Sequence, residues 1–156
     1  MSTTLQEGDA APTFDLPSDG GGQISSASLK GKPYVLYFYP KDDTPGCTKE
    51  AIGFTEAYPA FEAAGVEVIG LSKDTVSSHQ KFKQKYGLCF PLAADDGGQV
   101  VEAFGAWVEK STYGKTYMGI DRSTFLVDGE GKIRKIWRSV KVPGHVDEVL
   151  AAAKAL

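Results

Sequence analysis

From Pro33 to Pro40 the chain reads PYVLYFYP, an almost unbroken apolar run rich in aromatic and β-branched residues. Such a run fits a strand buried on both faces and belongs at the centre of a sheet. Upstream, apolar and polar residues alternate around Phe14 and Leu16, yield to the turn cluster SDGGG from Ser18 to Gly22, and resume at Ile24. That pattern predicts an amino-terminal hairpin. Downstream, Thr44 and Pro45 form a helix start, Thr as N-cap and Pro as the first helical residue. The helix is predicted to run to about Ala64, where Gly65 stops it. Within it Ile52, Phe54, Ala57, Tyr58 and Phe61 recur at helical spacing and supply one face for the sheet.

The next strand is VEVIGLS, Val66 to Ser72, followed by an amphipathic helix from Thr75 to Tyr86 that ends before Gly87. A short strand at Phe90 to Ala93 and a short helix at Val100 to Phe104 come next. Ser123 to Val127 and Lys132 to Trp137 read as a second hairpin, turning over Asp128 to Gly131, and His145 to Lys154 as a last helix. This order predicts an α/β fold: a central mixed sheet flanked by helices, in the manner of the thioredoxin fold, with an extra N-terminal β-hairpin. No repeat, linker or low-complexity segment divides the sequence, so residues 1–156 read as a single domain.

Composition supports a soluble globular chain, with 42% hydrophobic and 24% charged residues over 156 positions. The formal net charge is -3 and both signs are interspersed. There is no basic stripe to draw in nucleic acid or an anionic membrane, and a small or neutral substrate fits better. The start MSTTLQEGDAAP has no basic stretch followed by an apolar run, and no segment nears the ~20 apolar residues of a membrane span. A cytoplasmic location is expected. The two cysteines, Cys47 and Cys89, lack CxxC spacing, and the two histidines, His79 and His145, are too few for an obvious metal site. The expected chemistry uses neither metal nor cofactor.

With Thr44 as N-cap, Cys47 is the third helical residue, in the first turn, where backbone N–H groups lack intrahelical partners. Those donors and the helix dipole favour an anion, and cysteines so placed are more acidic than a free thiol. Gly46 keeps side-chain bulk away from the sulfur, while Pro40 and Pro45 stiffen the loop before the helix. The Thr44 hydroxyl can cap the helix or orient a bound oxygen, and the Cys47 N–H can donate to the same small substrate. A free cysteine is ordinarily a small buried hydrophobe. A Thr-Pro-Gly helix start directly after a buried strand shifts the reading to a reactive thiol.

The run from Phe38 to Ala51, FYPKDDTPGCTKEA, resembles the peroxiredoxins, and specifically the peroxiredoxin Q or bacterioferritin comigratory protein (BCP) subfamily. Pro40, Thr44 and Cys47 meet the pattern Pro-x-x-x-Thr-x-x-Cys, and the resemblance continues in GDAAPTFDLP, GVEVIGLSKD and YMGIDRSTFLVDGEGKI. It implies a thiol-dependent peroxidase that reduces hydrogen peroxide and organic hydroperoxides to water or alcohols through a Cys47 thiolate and a sulfenic acid. Arg122, otherwise a solvated charge at a strand end, would stabilise the thiolate and the developing negative charge. Thr44 would align the peroxide, Pro40 shield the pocket, and Glu50, otherwise a surface charge of the first turns, orient the arginine. The implied reductant is thioredoxin, glutaredoxin or a small thiol, and the implied state a monomer, with a dimer second.

The pattern departs at the resolving thiol. Where the subfamily places it, this chain has Ile52 and Lys83. Cys89 is the remaining candidate. It precedes a strand expected to run parallel to the one ending at Pro40, so it should lie at the opposite sheet edge, ~17 Å or more away. A disulfide needs Cα atoms roughly 4.4 to 6.8 Å apart. A single-cysteine cycle resolved by an external thiol is therefore expected, with Cys89 a core residue. Rival readings are a disulfide oxidoreductase, which wants CxxC, and a peroxide-responsive redox sensor or chaperone-like protein without efficient turnover. His79, on a charged helix, is expected in solvent, His145 near the start of the last helix, and Trp107 and Trp137 at the core or its rim. Gly20, Gly21 and Gly22 lead into no helix and make no phosphate loop.

Overall fold

The computed structural model describes residues 5–156; the first four residues, part of the amino-terminal reading, lie outside the described residues. The chain forms β1 (Asp15–Pro17), β2 (Gln23–Ser25), β3 (Tyr34–Phe38), α1 (Pro45–Ala63), β4 (Glu67–Ser72), α2 (Val76–Tyr86) and β5 (Leu92–Ala94). Then come α3 (Gln99–Ala103), β6 (Trp107–Thr112), β7 (Lys115–Ile120), β8 (Ser123–Val127), β9 (Ile133–Trp137) and α4 (His145–Lys154). The main sheet has the order β5-β4-β3-β8-β9. β3 pairs parallel to β4 and antiparallel to β8, so it is central and the sheet is mixed.

β3 is apolar throughout because both its faces are covered. Tyr34, Leu36 and Phe38 point into one hydrophobic cluster with Phe14, Ile24, Phe104 and Phe125. Val35, Tyr37 and Tyr39 point into the other, with Phe54 and Phe61 of α1, Phe82 of α2 and Val149 of α4. The β1–β2 hairpin packs beside β5, tied by Asp19 N–H to the Leu92 carbonyl at 3.1 Å and Leu92 N–H to Asp19 Oδ1 at 3.0 Å.

α2 ends at Tyr86 as predicted, with Gly87 closing it at φ 65°; it starts one residue later than predicted, because Thr75 is its cap and accepts from Ser78 N–H at Oγ1. α1 is interrupted chemically rather than geometrically, because Pro59 has no N–H to give Thr55, four residues back. The Cys89 sulfur lies 3.8 Å from that Thr55 carbonyl.

Three expectations need correction. The β6–β7 hairpin, which no periodicity announced, turns over Tyr113 (φ 51°) and Gly114 (φ 77°). Consecutive positive φ values suit a two-residue hairpin turn. Its strands are largely exposed, so they show no apolar alternation to read. Cys89 is exposed rather than in the core, because it precedes β5 in the Gly87–Pro91 link and only Leu88 and Phe90 turn inward. His79 is fully buried rather than solvated, because the loop before α1 supplies partners that its own helix lacks.

Candidate active site

Parallel β3 and β4 and antiparallel β8 bring the end of β3 and the start of β8 to one sheet edge, where Phe38 pairs with Ser123. Arg122, immediately before Ser123, therefore stands beside the loop that leaves β3 and enters α1. Its backbone is fixed by Val140 N–H donating to its carbonyl at 2.9 Å, and that of Asp121 by its own N–H donating to the Ala106 carbonyl at 2.8 Å. These contacts join residues 18 and 15 positions apart, so tertiary structure places the backbone that carries the guanidinium.

Cys47 lies in the first turn of α1, after Thr44 at the N-cap and Pro45 at the first helical position. It is 1% exposed. Arg122 donates from Nη2 to Cys47 Sγ at 3.3 Å and from Nη1 to Glu50 Oε1 at 2.6 Å. The bulk of Glu50 is wholly buried one turn beyond Cys47, so it is no surface charge. Its other oxygen, Oε2, is buried with no hydrogen-bond partner among the described residues. Burial pushes the Glu50 carboxyl up to about 7 against the pull of Arg122. Burial works against the Arg122 charge too, but Glu50 and Cys47 outweigh it and hold the guanidinium above its ordinary value.

Gly46 has its role set by the arginine as much as by the sulfur: a Cβ there would come 3.2 Å from Arg122 Nη2. Pro40 and Thr44 are half-buried on the loop between β3 and α1. Thr44 makes no side-chain cap; its hydroxyl donates instead to the Lys41 carbonyl at 2.9 Å. Behind the sulfur, Tyr37 stacks on Phe54 with ring centroids 4.6 Å apart, and its hydroxyl is buried without a partner. Burial, with Glu50 and Cys47 adding to it, pushes that phenol well above its usual range, so Tyr37 is neutral.

The structure thus brings together Gly46, Cys47, Glu50 and Arg122, and places Pro40 and Thr44 on the loop that leads into α1. It does not bring Cys89 to them. The Cys89 sulfur sits beside Thr55, eight residues along α1 from Cys47, or ~12 Å along the helix axis at 1.5 Å per residue. Sequence reasoning missed Asp42, whose buried carboxylate anchors the same loop; the one signal was an acid between Pro40 and Thr44, which reads as an ordinary loop charge. His145 does begin α4, buried, with Nε2 2.8 Å from Thr124 Oγ1. Trp107 and Trp137 pack at the edges of the two clusters. No helix among the described residues is long and apolar enough to cross a membrane.

The AhpC/TSA family model matches residues 7–136. A putative peroxiredoxin of Coxiella burnetii is 53% identical over 147 residues, covering 94% of this chain and 97% of that one. Peroxiredoxin Bcp of Bacillus subtilis is 47% identical, over 97% and 96%. Among solved structures, a mutant of Xylella fastidiosa PrxQ superposes with a TM-score of 0.93 at 38% identity, over 99% and 98% of the two chains. The Xanthomonas campestris bacterioferritin comigratory protein, studied for alkyl peroxide reduction in trapped intermediate and ligand complexes, superposes with a TM-score of 0.90 at 44% identity, over 98% of each.

Proposed function

Because this chain belongs to the AhpC/TSA family and is a thiol-dependent peroxidase, we propose that Cys47 is its peroxidatic residue and that Arg122, Thr44, Pro40, Gly46 and Glu50 complete the site. The observation that carries this reading is the fork of Arg122, with Cys47 Sγ at 3.3 Å and Glu50 Oε1 at 2.6 Å. A guanidinium and a helix amino terminus together favour the thiolate.

The Cys47 thiolate attacks the nearer oxygen of a hydroperoxide. An S–O bond forms, the O–O bond breaks, and Cys47 becomes a sulfenic acid while hydroxide or alkoxide departs and takes a proton from solvent to become water or alcohol. Arg122 faces the sulfur and the developing negative charge on the departing oxygen. Glu50 acts through Arg122 as a positioning residue. The Thr44 hydroxyl can turn from the Lys41 carbonyl to the peroxide, and the Cys47 N–H donates to the same oxygen. Pro40 closes the pocket against water, and Gly46 leaves room for the guanidinium. Both hydrogen peroxide and organic hydroperoxides fit a site that reads only the O–O bond.

An external thiol resolves the sulfenic acid: thioredoxin, glutaredoxin or a small thiol attacks the sulfur, releases water and forms a mixed disulfide that a second thiol reduces. The working unit is the monomer, and the cytoplasm, where such thiols are kept reduced, is its setting. Peroxide consumption with thioredoxin or dithiothreitol tests the proposal: turnover is expected in the wild type and lost in Cys47→Ser. Stoichiometric oxidation without turnover would support a redox sensor instead.

A further inference from the structure

A second buried cluster of ionisable side chains is built on the loop that carries Pro40 and Thr44. The Asp42 carboxylate accepts from Tyr39 OH at 2.6 Å and Ser78 OH at 2.7 Å, and its Oδ2 stands 2.7 Å from His79 Nδ1. Its backbone N–H donates to Asp74 Oδ2 at 2.8 Å. His79 is 0% exposed, and its Nε2 stands 2.9 Å from the Ala93 carbonyl oxygen. The ring therefore meets a carboxylate on one side and a carbonyl on the other. Tyr39 OH, 3.4 Å from Nδ1, already gives its proton to Asp42.

A neutral imidazole has one N–H, and its second nitrogen would set a lone pair against an acceptor oxygen inside the core. The imidazolium satisfies both oxygens and balances the Asp42 charge, which is otherwise buried among neutral donors. The geometry points to a buried His79 imidazolium–Asp42 ion pair that positions the turn from Pro40 to Thr44 over Cys47.

The turn needs such an anchor. Asp43, between Asp42 and Thr44, sits at φ 59°, a conformation that residues with a side chain rarely adopt. Its neighbours are held from α2: Asp42 by Ser78 and His79, and Asp43 itself by Lys85 Nζ at 2.8 Å and Tyr86 OH at 2.5 Å. α2, which contributes no residue to the peroxide site, thereby holds the backbone of the turn immediately before Thr44. Asp42 and His79 do not contact Sγ, so they are positioning residues. Their role rests on Cys47 being the peroxidatic thiol.

Nitrogen-15 NMR of the wild-type ring between pH 6 and 8 tests the ion pair without any turnover. Both His79 nitrogens are expected to carry protons; one bare nitrogen would overturn the ion pair. The positioning role is tested by two rates at Cys47, one with hydrogen peroxide, which needs the turn, and one with iodoacetamide, which needs only the thiolate. His79→Gln is expected to lower the first about tenfold or more and Tyr39→Phe roughly threefold, with the second changed less than about twofold. Equal changes in both rates, or none in either, would overturn it. Should His79→Gln fail to fold, Tyr39→Phe carries the same comparison. Absence of wild-type peroxide turnover alongside a doubly protonated ring would overturn the peroxidatic reading and the positioning role together, and leave the ion pair standing.

Discussion

Arg122 donates to Glu50 Oε1 over 2.6 Å, a shorter contact than the 3.3 Å it makes with Cys47 Sγ. The wholly buried carboxylate therefore anchors one arm of the guanidinium while the other reaches the sulfur. Glu50→Ala would leave Arg122 without its anchor and an unpaired charge half inside the protein. The peroxide rate is expected to fall roughly 10- to 100-fold and stability by about 3 kcal/mol. Glu50→Gln keeps an acceptor oxygen toward Nη1 and should lose less than about tenfold. Stopped-flow peroxide reduction and urea unfolding on both variants check this.

Gly46→Ala separates activity from stability. Alanine is the better helix former by about 1 kcal/mol, and the position has ordinary helical geometry, so unfolding should be unchanged or slightly harder. Its Cβ would nevertheless press on Arg122 Nη2 at 3.2 Å, and Glu50 leaves the guanidinium little room to retreat. A roughly tenfold slower reaction with peroxide is expected in a protein that melts no earlier. Paired thermal unfolding and peroxide kinetics decide it.

Cys89 is exposed and lies ~12 Å down α1 from Cys47. Cys89→Ser should keep peroxide turnover with a small thiol within about twofold of wild type, because no step passes through that sulfur. Mass spectrometry after one equivalent of peroxide should find sulfenic acid at Cys47. An intramolecular Cys47–Cys89 disulfide would contradict the external-thiol cycle.

His145 makes stability depend on acid. Burial, with Arg122 adding to it, lowers its pKa from 6.5 to about 4, so the folded protein prefers the neutral ring. The stability this represents is fully present above pH 6.5 and is lost as pH falls through 6.5 towards 4, up to about 3 kcal/mol. Glu50, raised to about 7, acts with the opposite sign: its contribution is present below its unfolded pKa and is lost as pH rises through 7. Comparing wild type with His145→Gln at pH 7.5 and pH 4.5 cancels the Glu50 part. The gap between the two proteins should narrow by about 2 to 3 kcal/mol at the lower pH. Urea unfolding measures it.

The elements that were legible from sequence are those whose signal is local. PYVLYFYP reads as a doubly covered strand, Thr44-Pro45 as a helix start, and Gly87 sits at the left-handed position where α2 stops. The same local pattern put Cys47 in the first turn of α1. Arg122 and Glu50 came from the family resemblance, since nothing in their own neighbourhoods distinguishes them from ordinary charges, as did the shielding role of Pro40. The β6–β7 hairpin escaped because exposed strands need no apolar alternation.

What only the tertiary structure decided was which charges leave the water. His79 lies on a helix whose sequence reads as solvated, yet it is buried because Asp42, far back in the chain, pairs with it at 2.7 Å. Glu50 is buried because Arg122 arrives from the start of β8, and Cys89 stays outside because its neighbours Leu88 and Phe90 take the inward positions. A sequence states local propensity and apolar period. Desolvation of a charge depends on a partner brought by the fold, and that partner is visible only once the strands are in register.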